Sequence, residues 1–359
     1  MDDPGLPRPI DGDVDTVRLQ AEEHPLIEDV PPATPAEHCL RLMHLRAYDE
    51  AVAHAAGRDV LDVGCNTGYG TIRFVPVAKR VVGVDVSPRA IEAARERAVD
   101  GRPEFIETSG FELPFPDASF DLVTSFQVLE HVPDPLVFLR ELARMLRPGG
   151  LAILATPNAA TRLYPGMAPW NRFHVHEYVA TELAELLRGV FPRVTVLGMF
   201  GAPELYETEI RRVDAARQRI RRKEEAEARR HVARAAAEAD VAARRTSARP
   251  RRPWPIRVAR AIVPPAARAW LRSVVSGRGS VRPSASVAPA SGTALAAATA
   301  TIATSPEARA TSVEREVSVD LEAFLRFTVD DLWYAGTDLE RAMDLLAVCE
   351  LGAGTAATG

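Results

Sequence analysis

Val60-Leu61-Asp62-Val63-Gly64-Cys65-Asn66-Thr67-Gly68-Tyr69-Gly70 runs from an apolar strand, Asp59 to Val63, into a glycine-rich turn that opens a helix near Gly70. A second apolar run, Val81-Val82-Gly83-Val84, ends on Asp85, fifteen residues past Gly70. This is the front half of a nucleoside-binding βαβ unit: the glycines let backbone approach a ligand, and a carboxylate at the second strand's tip can grip ribose hydroxyls. The dinucleotide fingerprint G-x-G-x-x-G fails in both registers. Counting from Gly64 the third position is Asn66, and counting from Gly68 the sixth is Arg73. Asn66 stands where a middle glycine is usual, and Asn tolerates positive φ better than most residues.

Further signals follow in order: Glu112-Leu113-Pro114-Phe115-Pro116-Asp117-Ala118-Ser119-Phe120-Asp121, then Leu122 to Val132 with Gln127 and Glu130-His131, then Leu146-Arg147-Pro148-Gly149-Gly150 and the strand Leu151 to Thr156. Ser87-Pro88 and Asp134-Pro135 are helix starts, each with a capping side chain and Pro at the first helical position. After the second, Leu136, Leu139, Leu142 and Leu146 mark a one-faced helix that the Pro-Gly-Gly turn ends. Strands alternating with such helices predict a parallel sheet covered on both faces, with ligands beyond the carboxyl ends of its strands.

The pattern D-x-G-x-N-x-G resembles motif I of class I S-adenosylmethionine (SAM) methyltransferases. With the downstream signals, roughly residues 40–200 resemble the UbiE-like and type 11 methyltransferase domains. The resemblance implies a Rossmann-like, doubly wound α/β sheet of seven strands in the order 3-2-1-4-5-7-6, strand 7 antiparallel, with SAM as cofactor. It also implies roles. Gly64, Cys65, Asn66 and Gly68 would line the methionine part of SAM, with Asp62 beneath its amino group. Asp85 would accept both ribose hydroxyls, Val86 would pack on adenine, and Gln127 would face the sulfonium. Ser109-Gly110 occupies the place of the family's Asp-Ala pair at the adenine edge, which leaves backbone groups for that contact.

Methyl transfer to an alcohol needs alignment, desolvation and a destination for the acceptor's proton. His131, beside Glu130 after the fourth strand, is a candidate base; packing of the loop before Pro133 is the other reading. A second polar cluster, Pro157-Asn158 and then Asn171 to Tyr178, includes His174, His176 and Glu177 and suits a lid over an acceptor. H-x-H-E is not a zinc signature and no cysteine stands close enough to complete one, so no metal is expected. The F-H-x-x-E pattern after a T-P-N strand end also resembles bacterial sugar and polysaccharide O-methyltransferases. Before the core, Cys39 to Ala56 reads as a helix with His44 and Tyr48 on one side, Tyr48 either covering the cofactor or packing inside.

The chain has 359 residues, half again more than a bare domain of this kind, and its three cysteines are scattered, which fits a reduced, cytoplasmic setting. Its start is acidic and proline-rich, unlike a signal peptide, and no stretch is long and uncharged enough to span a bilayer. The net charge of −5 conceals a division: Leu205 to Val275 carries 18 Arg and one Lys against eight acidic residues, a net +11, leaving −16 elsewhere.

Arg193 to Phe200 reads as strand six and about 344–350 as strand seven, so a long insertion separates them. The expected organisation is a flexible acidic segment (1–35), a SAM-binding core (36–204), a basic helical insertion (205–275), a low-complexity linker (276–318) and a C-terminal return with strand seven (319–359). Glu204 to about Arg245 reads as a charged helix projecting from the core, and Pro253 to Val275 as two short basic amphipathic pieces. Those pieces suit packing of their apolar face on the sheet or on a partner subunit, or an anionic membrane surface; nucleic acid ranks behind both because no RNA-binding motif accompanies the arginines. The resulting expectation is a SAM-dependent methyltransferase acting on oxygen of a small-molecule or carbohydrate-like acceptor. RNA, protein or quinone methylation, or a catalytically silent SAM-fold scaffold, are the rivals.

Overall fold

Eight strands form one sheet in the order β3-β2-β1-β4-β5-β8-β6-β7. They are β1 (Asp59–Val63), β2 (Arg80–Asp85), β3 (Glu104–Glu107), β4 (Phe120–Phe126), β5 (Leu146–Pro157), β6 (Arg193–Gly201), β7 (Leu332–Ala335) and β8 (Asp344–Glu350). The computed structural model describes residues 31–108, 112–247 and 320–352. The N-terminal segment to residue 30, Ser109 and Gly110, the basic amphipathic pieces of 253–275 and the low-complexity run to 317 lie outside the described residues.

The first five strands are parallel: Leu61 of β1 sits opposite Val82 of β2 on one side and Val123 of β4 on the other. Every residue of β1 is buried, as expected of a strand covered on both faces. β8 runs antiparallel between β5 and β6, pairing Leu346 with Ala155 and with Leu197. The strand read at 344–350 thus takes the expected place. The sheet has one strand more than expected: β7, four residues long, adds to the outer edge of β6. Leu-Trp-Tyr-Ala is too short for alternation to mark it, and the edge it covers is what makes it a strand.

The helices are α1 (Pro35–Val52), α2 (Pro88–Glu96), α3 (Pro135–Met145), the single turn α4 (Ala159–Arg162), α5 (Ala180–Arg188), α6 (Pro203–Ser247) and the single turn α7 (Leu321–Phe324). The expected caps hold: the Ser87 hydroxyl accepts from Ala90 N–H and the Asp134 carboxylate from Val137 N–H. The α3 face buries Phe138, Leu139, Leu142 and Met145, each contributing about 1.5–3 kcal/mol by removal from water. α1 starts four residues before the expected Cys39 because Thr34 caps it and Pro35 opens it. Leu205 and Val213, in the first turns of α6, are buried, and Leu205 packs with Met199 of β6 and Phe324 of α7.

The chain divides into two units, Met1–Glu225 with Ser318–Gly359, and Ala226–Val317. The candidate site lies wholly within the first. Of the second, the described part is the end of α6, with every side chain from Ala226 to Ala239 exposed. No helix among the described residues is long and apolar enough to cross a membrane.

Candidate active site

The turn after β1 is built from left-handed residues: Gly64 has φ 80°, Asn66 47° and Gly68 71°. Asn66 therefore adopts the conformation that a glycine there would supply, and its side-chain Oδ1 accepts from Thr67 N–H at 2.8 Å. Asp85 fastens this turn to the tip of β2, accepting from Asn66 N–H at 2.8 Å and from Ser87 N–H at 2.9 Å. Gly64 cannot carry a side chain, because a Cβ would stand 2.3 Å from Val128 Cγ2. A Cβ on Gly70 would stand 2.0 Å from the Tyr48 ring. Loop, strand tip and covering helix are thus mutually locked.

Asp62 is fully buried beneath the turn. It accepts from Thr71 Oγ1 at 2.6 Å, Thr124 Oγ1 at 2.8 Å and Tyr48 Oη at 3.1 Å. Burial pushes its pKa up to about 6 against the three hydroxyls, which oppose the rise. Tyr48 packs edge-on against Tyr69, Phe74 and Phe126 and is core. The Cys65 side chain packs in a cluster with Ile91, Ala94 and Phe105, and its Sγ lies 3.6 Å from the Asn66 carbonyl, to which it donates. Val86 is half-buried just past β2. The donor set suits a nucleoside: a half-buried carboxylate at a strand tip, a glycine turn beside it, and both at the carboxyl end of parallel strands.

Gln127, with φ 56°, follows β4 and donates through Nε2 to Asp344 Oδ2 at 2.8 Å. Asp344 opens the antiparallel β8, which brings it to the same end of the sheet as the β4 and β5 termini. Burial, and next the charge of Glu130, push its pKa well above the usual carboxylate range. Sequence reasoning missed Asp344; its one signal is a carboxylate heading the apolar run Leu345 to Cys349.

Glu130 and His131 lie in a single 3-10 turn, Leu129–His131, directly after β4. The loop after β5 is stapled over this turn, Val175 N–H donating to the Glu130 carbonyl at 2.7 Å. His131 Nδ1 lies 2.9 Å from the Phe173 carbonyl, and its ring meets that of His174 edge-on at 4.8 Å. Burial, with His174 second, pushes His131 down to about 4, so the ring is neutral near pH 7 and a weaker base than a solvated imidazole. Burial also raises the Glu130 pKa. His174 Nδ1 lies 2.7 Å from Glu177 Oε1, and Arg162 of α4 grips both oxygens of Glu177. Burial alone would raise Glu177, but the bonds from His174 and Arg162 outweigh it and hold the carboxyl below its usual range. Arg162 carries no sequence signal.

His176 stands apart from this group. It pairs with Glu182 at 2.7 Å, its side chain is 50% exposed, and it borders a separate surface cleft of about 380 Å³ along α5. The structure therefore joins Glu130, His131 and His174, and leaves the sequence neighbour His176 outside.

A glycine turn tied to the β2 carboxylate, on a sheet with one antiparallel strand between β5 and β6, defines a class I SAM-binding methyltransferase fold. Residues 61–154 match the family described as a methyltransferase domain. Over that stretch the chain is similar to class I SAM-dependent methyltransferase domains of the type 11 family, which take SAM as cofactor. A Mycolicibacterium smegmatis protein named as a probable S-adenosylmethionine-dependent methyltransferase is 41% identical over 170 residues, which are 47% of this chain and 65% of that protein. The 27-O-demethylrifamycin SV methyltransferase of Amycolatopsis mediterranei is 42% identical over 100 residues, 26% of this chain and 37% of that one. Among solved structures the [4+2]-cyclase SpnF is similar at 26% identity and a TM-score of 0.38, over 46% of this chain and 65% of its own. The chain spans 61–65% of the length of the first mycobacterial relatives.

Proposed function

We propose that this chain transfers a methyl group from SAM to an oxygen of a small-molecule or carbohydrate-like acceptor. The observation that carries the reading is the lock between the Gly64–Gly68 turn and Asp85 through Asn66 N–H. It ties the carboxylate to the glycine turn by the chain's own hydrogen bond, and a site fixed in this way limits the ordering cost of binding a nucleoside. Asp85 then orients the ribose, the turn approaches the amino-acid tail, and Asp62 holds the turn from beneath. When bound, SAM supplies an electrophilic methyl group on a sulfonium. The chain's own residues bind, orient and exclude water. The Glu130–His131–His174 group faces the acceptor side, under the loop from Asn171 to Tyr178. The name of the rifamycin relative, an O-methyltransferase, supports oxygen as the methylated atom.

Calorimetric titration with SAM and with S-adenosylhomocysteine tests the reading. Saturable binding is expected, weakened by Asp85→Ala by about tenfold or more through lost charge-assisted hydrogen bonds of about 1.5–3 kcal/mol. Unchanged affinity in that variant would remove Asp85 from the pocket. Binding without turnover across sugar and polyketide alcohols would favour the silent scaffold.

A further inference from the structure

One ligand atom each from Glu130, His131 and His174 lies within 4.8 Å of the others. Three observations separate this group from ordinary packed polar side chains. Both imidazoles have Nδ1 against an acceptor that has no proton to give, the Phe173 carbonyl for His131 and the Glu177 carboxylate for His174. Each Nδ1 therefore carries a hydrogen, so that in the neutral imidazole Nε2 is the nitrogen with the lone pair. Glu130, 1% exposed, accepts from Thr156 Oγ1 at 3.0 Å through Oε2, while its buried Oε1 has no hydrogen-bond partner. Such an orphaned oxygen is costly and uncommon in a folded chain. The nearby guanidiniums are already engaged, Arg162 by Glu177 and Arg212 by Glu209. Glu130 and Asp344 have no ion-pair partner among the described residues.

We propose that Glu130, His131 and His174 bind one divalent transition-metal ion of the zinc type, through two imidazole Nε2 atoms and a carboxylate oxygen. Ligand-bearing histidines are commonly held from behind by a carbonyl or carboxylate on the other ring nitrogen, which fixes tautomer and orientation, and both are so held here. Bonds of about 2.0–2.2 Å in a tetrahedral site need ligand atoms roughly 3.4 Å apart. The three side chains therefore close by somewhat more than an ångström on binding. Three protein ligands leave a coordination position open to an oxygen donor. An acceptor hydroxyl fits that position, a consequence that rests on the proposed methyltransferase function, whereas metal binding itself does not. His131 then serves as a ligand and not as the base. The sequence carries no expectation of a metal, because H-x-H-E is not a zinc signature and the chelating set joins His131 and His174, 43 residues apart in the chain.

The test strips the full-length chain with a chelator and titrates it with Zn(II) and, separately, Co(II), with circular dichroism to check folding and a parallel SAM titration. One ion per chain is expected, with visible ligand-field bands for Co(II). Glu130→Gln and His174→Gln should each weaken binding by at least about tenfold. Glu177→Gln, which touches no metal but releases the back of His174, should weaken it by about 10- to 100-fold. Absence of saturable binding to the folded wild-type chain overturns the site, as does binding that these substitutions leave unchanged. If His174→Gln does not fold, Glu130→Gln decides, because Gln keeps the volume and can keep the Thr156 bond. Metal binding without SAM binding would overturn the methyltransferase reading and leave the site standing; SAM binding without metal binding would do the reverse.

Discussion

Asp62 is buried inside the sheet beneath the glycine turn. Its oxygens are taken by the hydroxyls of Thr71, Thr124 and Tyr48, and none of its surface reaches solvent. Burial raises its pKa from 3.8 to about 6, so the folded chain holds the proton at pH values where the unfolded chain has lost it. The stability tied to this group is full below 3.8 and is lost as pH rises through 6, after which it is level. At full burial the shift corresponds to about 3 kcal/mol. Asp62→Asn cannot ionise, so its unfolding free energy should gain on that of the wild type by up to about 3 kcal/mol between pH 4 and pH 7. Any loss from the amide's altered hydrogen bonding is constant with pH. Urea midpoints across that range measure the difference, and parallel curves would show that Asp62 is not the group responsible. Asp62 and Asp85 were legible in the sequence because their spacing to Gly64 and Gly68 is local. Tyr48 and Thr124 were not legible as partners of Asp62, since each hydroxyl reaches it only when α1, β1 and β4 come together.

The loop after β5, a lid in the proposed function, depends on a buried ion pair that ties it to α4. Arg162, at the end of α4, is 8% exposed and Glu177, in the loop after β5, is 3% exposed, and the pair is bidentate. Arg162→Met keeps most of the volume and strands Glu177 beside His174. Breaking one side of a buried pair costs about 3–5 kcal/mol, and denaturant unfolding should read a loss of that size. A loss under about 1 kcal/mol, the range of exposed pairs, would mean that water reaches Glu177 and that the lid is looser than its burial indicates. The same element shows where sequence reading stopped. Ser87-Pro88, Asp134-Pro135 and the apolar run at 344–350 announced α2, α3 and β8 through capping chemistry and periodicity, which are properties of neighbours in the chain. The meeting of His131 with His174, and of Gln127 with Asp344, depends on which loop ends reach the carboxyl edge of the sheet. β7 escaped notice for a related reason: its four residues become a strand by completing the edge of β6.

At the scale of the molecule, the chain leaves the core after β6 and returns for its last strands. β8 sits between β5 and β6, with hydrogen-bonded partners on both sides, so the core cannot close without residues 344–350. The excursion itself need not contribute. Among the described side chains of α6 the last fully buried apolar one is Val213, and the second unit begins at Ala226. A chain in which 226–317 is replaced by a flexible Gly/Ser linker should therefore fold, provided the linker can span the return. About 20 such residues reach roughly 25 Å root-mean-square. Closing the shorter loop lowers the entropic cost by about (3/2)RT times the logarithm of the length ratio, about 1.4 kcal/mol. The expected result is a thermal midpoint at or slightly above that of the full chain, with SAM affinity unchanged. The deleted stretch carries most of the arginine surplus, so the shortened protein should also be markedly more acidic. Failure to fold would show that the excursion completes the core. Folding with lost SAM affinity would place part of the cofactor's surroundings beyond residue 226, and would move the search for acceptor contacts from the loop at 171–178 to that second unit.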